Sequence, residues 1–209
     1  MLQFDHMTVI APTLEEGIEY VSNCLEIDLI NGTTHTDMCT HNRRVKLGES
    51  CYLEVIAINP DAPSPSCPRW FGLDEIEAVR TEWSKGARLR GWVARTNEID
   101  KVLRLHGHLL GSTKWLDDHF NFSVPAGGEL PMGGILPSVI DVGDNPPTAT
   151  SLVDQGVRLR EFVLEHPTPS KIIALYNEMG IVEPPKVREG ARPCFSALLD
   201  TPSGLTVLK

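Results

Sequence analysis

The sequence has no run of Lys or Arg longer than the pair Arg43-Arg44, and its 28 acidic residues outnumber its 19 basic ones, giving a net charge of −9. Without a basic stripe, neither nucleic acid nor an anionic membrane surface is an expected partner. No apolar run approaches the roughly 20 residues needed to span a bilayer. The opening MLQFDHMTVIAP lacks the basic-then-apolar order of a secretory signal, so a cytoplasmic location is expected. There is no CxxC. The cysteines Cys24, Cys39, Cys51, Cys67 and Cys194 are odd in number, which fits free thiols in a reducing compartment rather than a disulfide framework. Gly127-Gly128 and Gly133-Gly134 are not phosphate loops, because neither GK[ST] nor GxGxxG accompanies them.

What is present is patterned. Phe4 to Ile10 mixes β-branched and apolar residues and predicts a strand. Thr13 followed by Glu16 is a capping box, and Leu14, Ile18, Val21 and Leu25 recur at helical spacing, predicting a helix over 14–24. Asn31-Gly32 reads as a turn. His41 to Leu47 and Cys51 to Ile58 read as strands joined at Gly48-Glu49-Ser50, so the first unit runs β-α-β-β-β. Pro60, Pro63, Pro65 and Pro68 forbid regular structure between Asn59 and Pro68.

A middle unit opens at Gly91 and reads as a strand, a helix and two further strands at His119 to Val124 and Ile135 to Val142. A third opens at Val157, with a helix capped by Ser170 and a closing hairpin around Pro202-Ser203-Gly204. The units span 1–75, 76–150 and 151–209, together one domain. The first and third share a register: Pro12-Thr13 falls on Pro167-Thr168, Val9 on Leu164, Ile18 on Ile173 and His6 on Glu161.

Two polar residues stand inside apolar strands. His6 lies in the first strand, on one face with Phe4 and Thr8 by simple alternation, and Glu54 lies in the last strand of the unit. A buried charge needs a partner or a cation. An imidazole and a carboxylate on one concave face make half a site for Zn²⁺, Fe²⁺, Mn²⁺ or Ni²⁺. Glu161, the repeat counterpart of His6, is the candidate third ligand or general base. The competing reading pairs Glu54 with Arg44 across the hairpin.

His41 and Asn42 are candidates for positioning a polar substrate, with Asn42 on the face of Glu54 if the hairpin pairs across Glu49. Arg69-Trp70 offers a carboxylate clamp beside an apolar cover. Its alternative is a core Trp beside a surface Arg. Asp117-Asp118-His119 and His106-Gly107-His108 read as a strand entry and a helix end, and are set aside as sites.

Taken in order, Phe4-Asp5-His6, Pro12 to Gly17, Thr40-His41-Asn42, Tyr52 to Ile56, Arg69 to Leu73, Gly91 to Thr96 and Leu136-Pro137 resemble the glyoxalase-like domain family. The resemblance covers nearly the whole chain and is most specific before residue 75. It implies the vicinal-oxygen-chelate superfamily: an α+β fold of repeated βαβββ modules forming a cupped mixed-sheet barrel with helices outside. It also implies a divalent metal held by His and Glu of each module's first and fourth strands, positions that His6 and Glu54 match. Ser138 aligns with Glu54 in the middle unit, so the second carboxylate is missing there. The implied function is a metal-dependent lyase, isomerase or dioxygenase acting on a small oxygenated molecule. A metal-free binding protein is the alternative, motivated by the indoles of Trp70, Trp92 and Trp115. A homodimer is expected.

Overall fold

A computed structural model describes all of residues 1–209. The first module comprises β1 (Leu2–Ile10), α1 (Leu14–Leu25), β2 (Asn31–His35), β3 (Thr40–Lys46) and β4 (Tyr52–Ile58). The Thr13 hydroxyl accepts the Glu16 N–H and starts α1. Gly17 lets that helix lie close to the sheet, because a Cβ there would sit 2.4 Å from Val55 Cγ1. β3 and β4 form a hairpin in which Asn42 faces Ile56 and Arg44 faces Glu54. β4 then runs parallel to β1, placing Glu54 opposite Thr8.

After α2 (Ile76–Ser84) the same order repeats in β5 (Leu89–Arg95), α3 (Ile99–Leu110), β6 (Ser112–Leu116), β7 (Phe120–Val124) and β8 (Ser138–Asp141). The two modules join where β1 pairs antiparallel with β5, and the strand order is β2-β3-β4-β1-β5-β8-β7-β6. The third unit holds β9 (Arg158–His166), α4 (Pro169–Glu178), β10 (Ile181–Val182), β11 (Lys186–Glu189), β12 (Cys194–Thr201) and β13 (Gly204–Leu208). It builds its own sheet, β11-β9-β12-β13, and lends β10 to the edge of β1. The fold is α+β, a curled mixed sheet of βαβββ modules.

Several local expectations change. Asn31 and Gly32 belong to β2 rather than a turn. β6 is an added strand in the middle unit, missed because its residues are mostly polar and its burial is shallow. Thr168, not Ser170, occupies the N-cap of α4, with Pro169 at the first helical position.

The two faces of the large sheet are different cores. Met7, Val9, Leu53 and Val55 join α1, α3 and the third unit through Phe162, Leu164 and Tyr176. Each such buried side chain contributes about 1.5–3 kcal/mol. Ile10, Ile56, Val93, Phe122 and Ile140 line the other, concave face, covered by Trp70, Phe71, Leu73 and Val79 from the connector between the modules. A register shift in β1 falls between Phe4 and His6. This bulge breaks the alternation: Phe4 packs in the same core as Met7 and Val9, while His6 turns into the cup. No helix is long and apolar enough to cross a membrane.

Candidate functional site

The concave face carries a polar chain from one end to the other. Asp5, freed from the ladder by the bulge, places Oδ1 2.7 Å from His6 Nδ1. An ionised carboxylate only accepts, so Nδ1 carries the proton and Nε2 faces Glu54, 3.5 Å from its Oε2. The other Glu54 oxygen accepts Asn42 Nδ2–H at 2.7 Å. Asn42 also accepts the Thr33 N–H at 2.9 Å and lies 3.1 Å from His35 Nε2, so its amide is fixed on three sides. His35 Nδ1 reaches Asp117 Oδ2 at 2.7 Å. At the far end, Arg95 lies 3.6 Å from Asp5 and donates to Gln3 and the Ser50 carbonyl.

His6, Glu54 and Asn42 are all buried. Burial alone would lower the His6 pKa, but the hydrogen bond to Asp5 and the interaction with Glu54 outweigh it and raise it to about 9. Burial would raise the Glu54 pKa, and His6, with His35 and Asn42, instead holds it below the ordinary carboxylate value. The two shifts agree in describing a charged pair. Tyr52 stacks on the imidazole at 4.4 Å and fixes its plane.

An aromatic wall stands over this chain. Trp70 meets His35 edge-on at 4.9 Å and packs on Phe120 and Phe122. Thr8 Oγ1, Thr40 Oγ1, Arg44 Nε and Trp70 Nε1 are buried without a hydrogen-bond partner. Thr8 is on the His6 face, and Thr40 and Arg44 share the Asn42 face. Unpaired buried polar atoms are uncommon and cost about 1–3 kcal/mol each, and these four of the molecule's ten lie on or over the cup face of the sheet.

The glyoxalase-like domain profile matches residues 4–180. The chain belongs to the glyoxalase-like domain family. That family lies in the vicinal-oxygen-chelate superfamily. No curated protein matches the chain. Among solved structures, a hypothetical protein from Staphylococcus aureus shares the fold at TM-score 0.54 and 10% identity, over 100% of this chain and 86% of that one. Methylmalonyl-CoA epimerase from Mycobacterium tuberculosis aligns at TM-score 0.40 and 16% identity, over 71% and 91% of the two chains. A variant of the Streptomyces coelicolor methylmalonyl-CoA epimerase, in complex with 2-nitronate-propionyl-CoA, aligns at TM-score 0.43 and 10% identity, over 71% and 99%.

In this glyoxalase-like domain the structure brings together His6, Glu54, Asn42 and Trp70. Glu54 meets His6 and Asn42 rather than Arg44, which lies across the hairpin from it. His41 is separated from them, since it neighbours Asn42 on β3 and points to the other face. Arg69 binds Asp74 through Nη1 at 2.6 Å instead of clamping into the cup. Trp92 lies in the opposite core, donating to the Ile135 carbonyl, and Trp115 is exposed.

Glu161 does not join His6. It could do so only if the third unit closed the barrel with the first, whereas the middle unit pairs with the first, through β5. The third unit packs on the Met7 and Val9 face, opposite the His6 side chain, and Glu161 is held there by Lys186 and Arg188 at 2.9 and 2.8 Å. Asp5, Thr8, His35 and Asp117 are the site residues that sequence reasoning missed, Asp117 because its cluster reads as a strand entry.

Divalent metals are common in the superfamily. Ligands bonded to one ion at about 2.0–2.2 Å stand roughly 3.0–3.5 Å apart. The 3.5 Å between His6 Nε2 and Glu54 Oε2 matches that spacing. The Asp5 bond to Nδ1 is the outer-shell support a metal-binding imidazole uses. The second module adds no such donors. Thr8, two residues beyond His6, faces Glu54; Val93, two beyond Gly91, faces Ser138. Gly91 and Ser138 are therefore the counterparts of His6 and Glu54. No group of three or more His, Cys, Asp or Glu side chains converges as a metal site. The residues fit an ion held from one side only.

Proposed function

We propose that this protein is a metal-dependent vicinal-oxygen-chelate enzyme of lyase, isomerase or dioxygenase type, acting in the cup on a small oxygenated molecule. The observation that carries this reading is the facing pair of His6 Nε2 and Glu54 Oε2, braced from behind by Asp5 and Asn42. These two residues would hold a Zn²⁺, Fe²⁺, Mn²⁺ or Ni²⁺ ion. When bound, such an ion acts as a Lewis acid toward a carbonyl or enediolate oxygen, and the half-shell leaves room for substrate oxygens.

The chain's own residues do the rest. Asp5 keeps the proton on His6 Nδ1, so that Nε2 stays the ligating atom. Asn42 orients the Glu54 carboxylate, and Asp117 and His35 hold Asn42 in turn. Trp70, Phe120 and Phe122 exclude water and receive the apolar part of the substrate. Thr8 and Thr40 supply free hydroxyls for its polar part. Glu161 has no part in this chemistry.

The test is elemental analysis of protein purified without an affinity metal column, beside Glu54→Gln. About one divalent metal per chain in the wild type and none in the variant supports the reading. No metal in either, even after reconstitution, rejects it.

A second reading, a metal-free binding protein for an aromatic or apolar compound, is favoured by the empty second half-site at Gly91 and Ser138. Trp70 is the one expected indole that lies in the cup. Its fluorescence should therefore quench on binding, and Trp70→Phe should abolish the signal. The homodimer remains a proposal. Both ends of the curled sheet, β2 and β6, are edges, and Trp115 is 56% exposed on the second. Sedimentation showing only monomer at micromolar concentration would overturn it.

A further inference from the structure

A half-open cleft of about 380 Å³ lies outside the cup, where α2, β5 and the start of β12 meet. Leu89, Ile135 and Phe195, all members of the outer core, give it an apolar floor. Ala78 and Glu82, one turn apart on α2, form the opposite wall.

Arg90 enters this cleft at a bulge in β5. Thr8 pairs with Gly91 and Val9 with Leu89, so the ladder skips Arg90. A bulge of this kind re-aims a side chain out of the alternation of its strand. The turn at Pro131–Gly134 packs directly on it, since a Cβ at Gly134 would lie 2.1 Å from the Arg90 carbonyl oxygen. The Arg90 guanidinium is half-buried and bonds to no protein group. Nη1 is enclosed without a partner, while Nε and Nη2 keep contact with solvent through the cleft. Glu82 is the one carboxylate that acts on this group, from beyond ion-pair distance, and it is already held by Lys85 at 2.8 Å. A guanidinium is always charged, and a half-buried one without a counter-charge is costly. One uncommitted cation calls for one negative charge, and its planar fork fits a carboxylate. The volume falls in the range of about 300–1,000 Å³ usual for small-molecule sites.

We propose that this cleft is a second small-molecule site, for a monocarboxylate with a short apolar body. The carboxylate binds Arg90, and the body lies on Ile135 and Phe195. This site does not depend on the metal reading of the cup.

The test is titration of the full chain with 3-phenylpropanoate and, separately, the neutral 3-phenylpropan-1-ol, followed through the methyl NMR signals of Ala, Ile, Leu and Val. Saturable shifts at Ala78, Leu89 and Ile135 are expected with the acid. The alcohol should bind at least about tenfold more weakly, as loss of a charge-assisted hydrogen bond predicts. Arg90→Met keeps the aliphatic stem and removes the charge, so it should bring the acid down to the affinity of the alcohol. Ala78→Trp, on the exposed wall, should block both ligands. Glu54→Gln leaves the cleft intact, so acid binding should persist in that variant whatever its metal content. Equal affinity for acid and alcohol in the wild type would overturn the proposal. So would unchanged acid binding in Arg90→Met or Ala78→Trp, shifts confined to cup residues such as Val93 and Ile140, or an absence of saturable shifts.

Discussion

On β4 the residue opposite Thr8 is Glu54, and a buried imidazole faces it; on β8 the residue in the same place is Ser138, and glycine stands where the imidazole would be. The modules share strand order and helix placement, so backbone does not explain the difference. Packing does. A Cβ at Gly91 would lie 3.1 Å from Leu130 Cδ2 and 3.8 Å from Phe71 Cδ1. The second module has filled the position of a ligand with the side chains that cover the cup. The first module keeps its buried charges and supplies each with partners in Asp5 and Asn42, while Asp117 of the second module braces His35 from across the cup. Buried charges are tolerable only when paired, and removing one partner is worse than removing both. One module is therefore built for an ionic group and the other for an apolar wall.

The largest expected effect comes from breaking the ionic side. Glu54→Ala leaves His6 Nε2 buried without the carboxylate that faces it, with Asp5 on Nδ1 alone, and should cost about 3–5 kcal/mol, read from urea denaturation. Ser138→Ala, the same truncation in the other module, should cost about 1 kcal/mol or less.

Next is pH. The folded His6 pKa of about 9 lies above the ordinary value of 6.5. Its contribution is fully present below the unfolded value and is lost as pH rises through the folded one. The metal-free protein should lose about 3 kcal/mol between these limits, and His6→Gln should flatten that slope. Glu54 is shifted the other way, so its share is lost on the acid side, as pH falls below the ordinary carboxylate value.

Gly91→His, which restores the missing imidazole, should destabilise by about 1–3 kcal/mol through overpacking against Leu130 and gain no metal. A stable Gly91→His with doubled metal content would erase the proposed asymmetry. The smallest effect is at the edge of the network: Asp117→Asn should cost about 1 kcal/mol, with His35 losing its charged partner.

Much of this was readable in the sequence. Thr13 and Glu16 announced α1, and His6 and Glu54 stood out because charges in apolar strands need a reason. Asn42 followed from hairpin arithmetic across Glu49. What was not readable depended on distant packing. His35 and Asp117 meet across 82 positions of sequence, and a polar β2 offered no pattern to single out its histidine. Asp5 acquires its role from a bulge that alternation does not predict. Glu161 was misplaced because the repeat register linked the first and third units, whereas the sheet joins the first and second. Trp92 resembled a ligand-binding indole until the sheet put it in the other core.

The most direct measurement is calorimetric titration of the chelator-treated protein with Zn²⁺ from pH 6.5 to 9, beside His6→Ala, Glu54→Gln and Glu161→Gln. A proton on His6 competes with the ion, so affinity should rise about tenfold per pH unit toward the folded His6 pKa. One ion per chain, lost in His6→Ala and Glu54→Gln and kept in Glu161→Gln, is the predicted result. No binding, or binding lost only with Glu161, would contradict a site built on the first module.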